Sequence, residues 1–289
     1  MTLGEKLKAA RRARDLTQAQ LAGERITRNM LSLLEKDAAL PSYETLRYLA
    51  EELRIDPGYF FDSRSDLNEY LLRSDLPKIR AAFQNKKYDQ CIALASLYKG
   101  CDNEELLSIL SLCHYKTGIA LFERFSYEDA EAHLKESKEL SERMTVKPYF
   151  SVRISFYLTM IESYRTGKHV LPTAVISDFS DEDDFFDHAV YSFLFALIET
   201  DQIEKATSLY NSLHIGNHLY RSHFNARIAA SLNNYQRAKE LLWSVVSSDD
   251  AKPSPFLYGV YDDLERYCKA TDDYEGAYRC AVAKQEMQK

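Results

Sequence analysis

The stretch TQAQLAGERITRNMLSLLEK, Thr17 to Lys36, decides how the chain begins. Thr17 carries the hydroxyl of a helix N-cap, and Leu21 and Ala22 then fall on one face of a short helix from Gln18 to Gly23. Only Glu24 to Ile26 follow before Thr27 caps again, opening a helix to about Glu35 with Leu31 and Leu34 facing inward. Two helices this short bury little surface between them. The residues left looking outward at the leading end of the second are Arg28, Asn29, Ser32 and Leu33.

Working outward, Leu3, Leu7, Ala10 and Leu16 stand near helical spacing and predict a helix from Leu3 to Arg14 that buries one stripe and exposes its cations. On the other side, Pro41 stops what precedes it, Ser42 caps, and Leu46, Leu49, Ala50 and Leu53 form the stripe of a fourth helix. In DPGYFF, Asp56 caps and Pro57 takes the first turn, while Tyr59, Phe60 and Phe61 either close the small core or form a dimer seam.

This series of cap, Gln, Leu-Ala, tight turn, Ile-Thr-Arg-Asn, Leu-Ser-x-x-Glu and then LPSYETLRYLAEEL resembles the Xre-type helix-turn-helix of phage repressors over residues 3 to 61. It departs at AGERIT, one residue shorter than the commonest spacing and similar to some peptide-responsive regulators. The resemblance implies that the third helix enters a DNA major groove. Arg28 then has the fork that grips guanine O6 and N7, and Asn29 the donor and acceptor that match adenine N6 and N7. Leu33 takes a third base-facing position, suited to a thymine methyl, and Gln18 a clamp on the backbone or an outer base. Thr27, Ser32 and Lys36 complete the expected DNA-binding set. Out of context, Arg-Asn at a helix start is a solvated first turn, and the surrounding motif is what reverses that reading. Arg11 and Glu35 match the family's ion pair between the first and third helices, a structural role. Lys36 and Arg12 suit either phosphates or plain solvation.

Composition places the rest of the chain in the same class. With 45% hydrophobic residues, only 9 Gly and 7 Pro among 289, and few alternating Val, Ile and Thr runs, the chain reads as all-α. The five cysteines, Cys91, Cys101, Cys113, Cys268 and Cys280, lie in apolar helical patterns without CxxC spacing, so buried thiols in a reducing compartment are expected. No leader-like start and no long apolar run are seen, and a cytoplasmic protein without membrane insertion is the expectation.

Charge divides the chain more clearly than composition does. Residues 1 to 36 hold eight Lys/Arg against four Asp/Glu, whereas the whole chain carries 37 against 44. A small basic tip on an acidic body suits a polyanion met at a defined site, and argues against coating nucleic acid by charge alone. The expected division is therefore a DNA-binding domain over 1–62 and a second domain over 63–289.

In that second domain NKKYDQCIAL, RFSYEDAEAHL, TDQIEKATSLY, LNNYQRAKELL and TDDYEGAYRC share one shape. Each has a polar turn, an aromatic or Ile, two polar residues and a small residue: Tyr88 and Cys91, Tyr127 and Ala130, Ile203 and Ala206, Tyr235 and Ala238, Tyr274 and Ala277. A degraded copy is expected near Arg165 to Val170. An antiparallel helix pair per unit satisfies the pattern, the small residue allowing close approach. The segments resemble tetratricopeptide-type repeats, which implies a solenoid of about five or six pairs with a groove lined by each pair's first helix. Residues placed to face such a groove are Arg153, Tyr157, Tyr191, Tyr220, Asn225, Tyr258 and Tyr261, with Asn225 able to hold a peptide amide. Packing between repeats is the competing reading for each tyrosine.

Enzyme motifs are missing. His214, His218 and His223 have spacings that approach a metal pair, but Gly216 interrupts them. Asp178, Asp181, Asp183 and Asp184 lack the Gly and Glu of a calcium loop and read as a loop and helix start. No phosphate-binding or nucleophile-elbow motif occurs. No cofactor, metal or catalysis is therefore expected.

As a whole, the pattern resembles the peptide-pheromone, quorum-sensing regulators of Gram-positive bacteria. That resemblance implies a homodimer, a double-stranded DNA operator and a short peptide effector bound in the groove. Two other readings stay open: a protein-interaction adaptor, and a ligand-independent repressor whose repeats serve only for dimerisation.

Overall fold

The computed structural model describes every residue except 63–66, 99, 167–183 and 214, with Asp184 described by its backbone alone. Its chain divides into two compact units, Met1–Leu106 and Leu107–Lys289. The described residues form helices and turns only, and none of the helices is long and apolar enough to cross a membrane.

The first unit begins with α1 (Leu3–Ala13), α2 (Gln18–Ala22), α3 (Arg28–Leu34) and α4 (Tyr43–Leu53), followed by a 3-10 turn at Pro57–Phe61. Side-chain caps explain these starts. Thr2 and Thr17 form reciprocal capping boxes with Glu5 and Gln20, and the hydroxyls of Thr27 and Ser42 accept from the amides of Met30 and Thr45. Each cap is worth about 1 kcal/mol, which matters for helices of five and seven residues. Leu7, Leu21, Leu31, Leu34, Leu49 and Leu53 are buried together, and Tyr59 and Phe60 close this core while Phe61 stays exposed.

One cation departs from the expected exposed face of α1. Lys6 is buried, its ammonium donating to the carbonyls of Tyr59 and Asp62 and lying 4.6 Å from the centre of the Tyr59 ring. A long side chain can cross an apolar stripe when its tip finds acceptors, a contact between distant segments that helical spacing does not register. Downstream, α5 (Leu67–Gln84) and α6 (Tyr88–Ala95) pack as an antiparallel pair.

The second unit contains α7 (Glu104–Glu123, which begins at the end of the first unit), α8 (Tyr127–Arg143), α9 (Ser151–Thr166), α10 (Asp184–Glu199) and α11 (Ile203–Ser212). Then come α12 (His218–Ser231), α13 (Tyr235–Val246), α14 (Pro255–Ala270) and α15 (Tyr274–Met287). The expected degraded repeat near Arg165 to Val170 lies largely outside the described residues.

The repeated sequence shape has one repeated structure. Tyr88, Tyr127, Ile203, Tyr235 and Tyr274 each open the second helix of a pair. Cys91, Ala130, Ala206, Ala238 and Ala277, three residues later, are all buried where the two helices meet. Two residues before each opening position stands a residue of positive φ: Lys86, Phe125, Asp201, Asn233 and Asp272, with φ between 56° and 62°. The amide after it bonds back to the carbonyl five residues earlier, Lys87 to Ala82, Ser126 to Leu121, Gln202 to Leu197, Asn234 to Ala229 and Asp273 to Cys268. This is a Schellman end, which satisfies the last carbonyls of the first helix while reversing the chain. All five cysteines are buried thiols outside any disulfide.

Candidate nucleic-acid interface and effector site

The exposed face of α3 is built from its buried one. Leu31 and Leu34 point into the core, which leaves Arg28, Asn29 and Lys36 exposed, Ser32 half-buried and Leu33 46% exposed. An apolar side chain at that exposure, on the same short helix as an exposed guanidinium and amide, is a surface left uncovered by the described residues. Thr27 is exposed but spends its hydroxyl on the cap of α3.

Behind α3, Arg11 of α1 grips Glu35, with its Nε donating to Oε1 at 2.6 Å and a second nitrogen to Oε2 at 3.1 Å. Gln18 joins them, its amide donating to Glu35 Oε2 at 2.9 Å. Burial works against the charge on Glu35, but hydrogen bonds from Arg11 and Gln18 and the charge of Arg11 hold its pKa below the ordinary value. The cluster ties α1, α2 and the end of α3 into one rigid piece. Gln18 sits half-buried at the start of α2, already engaged by Glu35.

The short turn before α3 depends on Gly23. Its φ is 54° and ψ −140°, and a Cβ there would lie 2.3 Å from the Tyr48 hydroxyl. That hydroxyl donates to the Ala22 carbonyl at 3.2 Å, closing the end of α2 from α4. One residue fewer between the helices is accommodated by a backbone open only to glycine.

Residues 4–64 match the sequence family described as Helix-turn-helix domain. This segment is a helix-turn-helix domain. No curated protein matches the chain. Among solved structures, the chain is similar to PlcR of Bacillus thuringiensis in complex with the peptide PapR7 and DNA, at 16% identity over 99% of this chain and 98% of that one, with a TM-score of 0.28. ComR from S. thermophilus in complex with DNA and its signalling peptide ComS shows 14% identity over 99% of each chain and a TM-score of 0.26. ComR from Streptococcus vestibularis in its apo form shows 15% identity over 92% of this chain and 97% of that one, with a TM-score of 0.26.

In the helical array the groove candidates separate. Tyr157 and Tyr191 are buried, Tyr157 against Phe122 and Phe185, and Tyr191 stacked on Tyr220 at 4.6 Å. Arg153 lies 4.9 Å from the Phe185 ring and 5.4 Å from that of Tyr149. Tyr220 remains half-buried and meets His188 and Phe256. Tyr258 meets Phe125, so α14 touches the turn between α7 and α8, and Tyr261 packs among α12 to α15. Asn225 is exposed and turns toward Tyr210 of α11.

Two groups of side chains had no signal in the sequence. His223 is fully buried, with Nδ1 2.8 Å from the Tyr191 hydroxyl and Nε2 2.9 Å from Asp263, which Arg227 also grips. Arg227 reaches Glu199 as well and lies 4.0 Å from the Phe195 ring. The second group lines a cleft of ≈ 150 Å³ and includes Glu123, His188 and Phe256. These three members come from three helices spread over more than a hundred residues, so no spacing rule gathers them.

Of the expected histidine group, His214 lies outside the described residues, His218 is exposed near Asp250 at 3.8 Å and His223 is held as above. Asp178, Asp181 and Asp183 also lie outside the described residues, and Asp184 opens α10.

Proposed function

We propose that the chain is a sequence-specific transcription regulator that reads a DNA operator through α3 and takes an effector in its helical array. The observation that carries this reading is the outward face of α3. Arg28, Asn29 and Leu33 stand free above a core that needs none of them, at the leading end of the second helix of a helix-turn-helix domain. Arg28 and Asn29 read base edges, Leu33 meets a thymine methyl, Gln18 positions the backbone, and Thr27, Ser32 and Lys36 flank them. The chain divides its labour between a reading domain over 1–62 and a sensing and dimerising domain over 63–289. A homodimer places two such helices on half-sites about 34 Å apart, so an effector that alters their spacing alters which operators fit. Support for a short peptide as that effector is the cluster of aromatic rings at Tyr191, Tyr220 and Phe256, which offers apolar faces.

Selection from a random duplex library with the full chain tests the reading. One preferred sequence and a steep fall in affinity with salt are expected. Arg28→Ala relaxes the preference at one base pair and costs about 1–3 kcal/mol, whereas Lys36→Ala weakens binding evenly across sequences. Equal, sequence-independent losses from both would remove Arg28 as a base reader. Salt-insensitive binding, or none, would favour the adaptor reading instead.

A further inference from the structure

Glu123 is the last residue of α7 and lines the cleft together with Phe122, His188 of α10, Tyr220 of α12 and Phe256 of α14. It is half-buried, and among the described residues it has no ion-pair or hydrogen-bond partner. Other glutamates of the molecule that sit against structure are matched: Glu35 by Arg11, Glu105 by Arg80, Glu131 by Lys135 and Glu265 by Lys269. A carboxylate drawn partly out of water beside aromatic rings, with no cation of its own, is an unmet cost.

The surroundings select the sign of what would meet it. Burial pushes the His188 imidazole down to about 4, so that ring is neutral at physiological pH and supplies no positive charge. Lys252 and Asp250 sit exposed at the rim and offset each other, leaving Glu123 as the charge facing the interior. Phe122, Tyr220 and Phe256 present ring surfaces in the same wall, and such surfaces attract cations while excluding water. A phosphate or a carboxylate would meet the opposite field.

We propose that this cleft takes the ammonium or guanidinium group of a short basic peptide, Glu123 forming the ion pair and the rings of Phe122, Tyr220 and Phe256 enclosing the cation and its stem. The assignment rests on the reading that the array binds a peptide effector, and it places a basic group on that peptide. The group is either a Lys or Arg side chain or a free amino terminus, which share this chemistry.

Two measurements on the full chain separate the cleft from the effector reading. In the first, benzylammonium and its neutral counterpart benzyl alcohol are titrated by chemical-shift or calorimetric readout. A preference of about ten-fold for the cation is expected, collapsing to near parity in Glu123→Gln, which keeps the shape of the side chain. Trp243 fluorescence in urea checks that this variant folds as the parent does. Equal binding of the two probes, no binding of either, or a preference that survives Glu123→Gln overturns the assignment. In the second, a positional-scanning heptapeptide library is presented with free and with acetylated amino termini. Enrichment of Lys or Arg at one position assigns the side chain, and loss of binding on acetylation assigns the terminus. Peptide binding with neither signature overturns the cation site and leaves the effector reading standing. Selective benzylammonium binding without any peptide ligand leaves the site and removes the effector reading.

Discussion

Helices end on positive φ in both halves of this molecule, at Asp15, Asp37 and Arg54 in the helix-turn-helix domain and at five turns of the helical array, yet one turn of the first half demands glycine. In the helix-turn-helix domain the turn after α2 uses Gly23, whose missing Cβ is replaced by the Tyr48 hydroxyl. In the helical array five turns repeat one backbone shape with Lys, Phe, Asp, Asn and Asp at the positive position. The difference separates two ways of specifying helical structure. The domain is fixed by single contacts, each made once: four capped starts, the Arg11, Glu35 and Gln18 cluster, and the Tyr48 closure. The array is fixed by a local rule used again and again, so no one copy is indispensable.

The largest expected effect comes from the place where the array departs from its own rule. Asp263, fully buried, holds Arg227 and His223, a cluster that the described residues contain only at α10, α12 and α14. Asp263→Ala leaves Arg227 buried with Glu199 as its remaining partner, and about 3–5 kcal/mol should be lost from urea unfolding followed by Trp243 fluorescence. Trp243, the single tryptophan, packs against the α12 to α15 core and therefore reports on this region. Burial acts to raise the Asp263 pKa, but the Arg227 charge and the hydrogen bond from His223 outweigh it and hold the group well below the usual carboxylate range. A depressed folded value means that the stability is fully present above the unfolded value, about 4, and is lost as pH falls through the folded one. The parent should therefore weaken below about pH 4 more steeply than Asp263→Ala does. Parallel acid profiles would show that the charge cluster contributes nothing particular, and the array would then be uniform after all.

Gly23→Ala tests the other half. The backbone there is strained for any L-residue, and the new methyl would press on the Tyr48 hydroxyl. A loss on the order of 2 kcal/mol is expected, with operator binding falling as the domain unfolds. Adding Tyr48→Phe removes the clash but leaves the backbone cost, so the double variant should recover only part of the loss. Full recovery would mean that packing alone, and not φ, demands glycine at this turn.

These two sites also mark how far the sequence could be read. The starts of α2, α3 and α4 were legible because Thr17, Thr27 and Ser42 act within three residues of where they stand. The repeat was legible because an aromatic and a small residue recur at fixed separation. The burial of Lys6 was not, since its acceptors at Tyr59 and Asp62 belong to a segment more than fifty residues away in sequence. The cleft around Glu123 and the Asp263 cluster were equally silent, because each draws single side chains from helices that only the stacking of pairs brings together. Local chemistry is written locally, and a site assembled across repeats is written nowhere in particular.

The smallest effect sharpens the comparison most. Lys86 has φ 57°, is exposed, and caps the pair α5 and α6 with the same Schellman end as the other four turns. An L-residue in the left-handed region carries about 1–2 kcal/mol of strain, while glycine there costs extra unfolded-state entropy of about 0.5–1 kcal/mol. Lys86→Gly should thus stabilise the protein by about 0.5–1 kcal/mol, seen as a rise of a few degrees in thermal unfolding followed by far-ultraviolet circular dichroism. Lys86→Ala, which keeps the Cβ, should gain nothing, and this pairing isolates the backbone from the lost ammonium. If glycine fails to stabilise, the array turn is already relaxed in its left-handed shape, and Gly23, whose ψ of −140° lies outside that shape, differs from the array turns in backbone region and not only in the sign of φ.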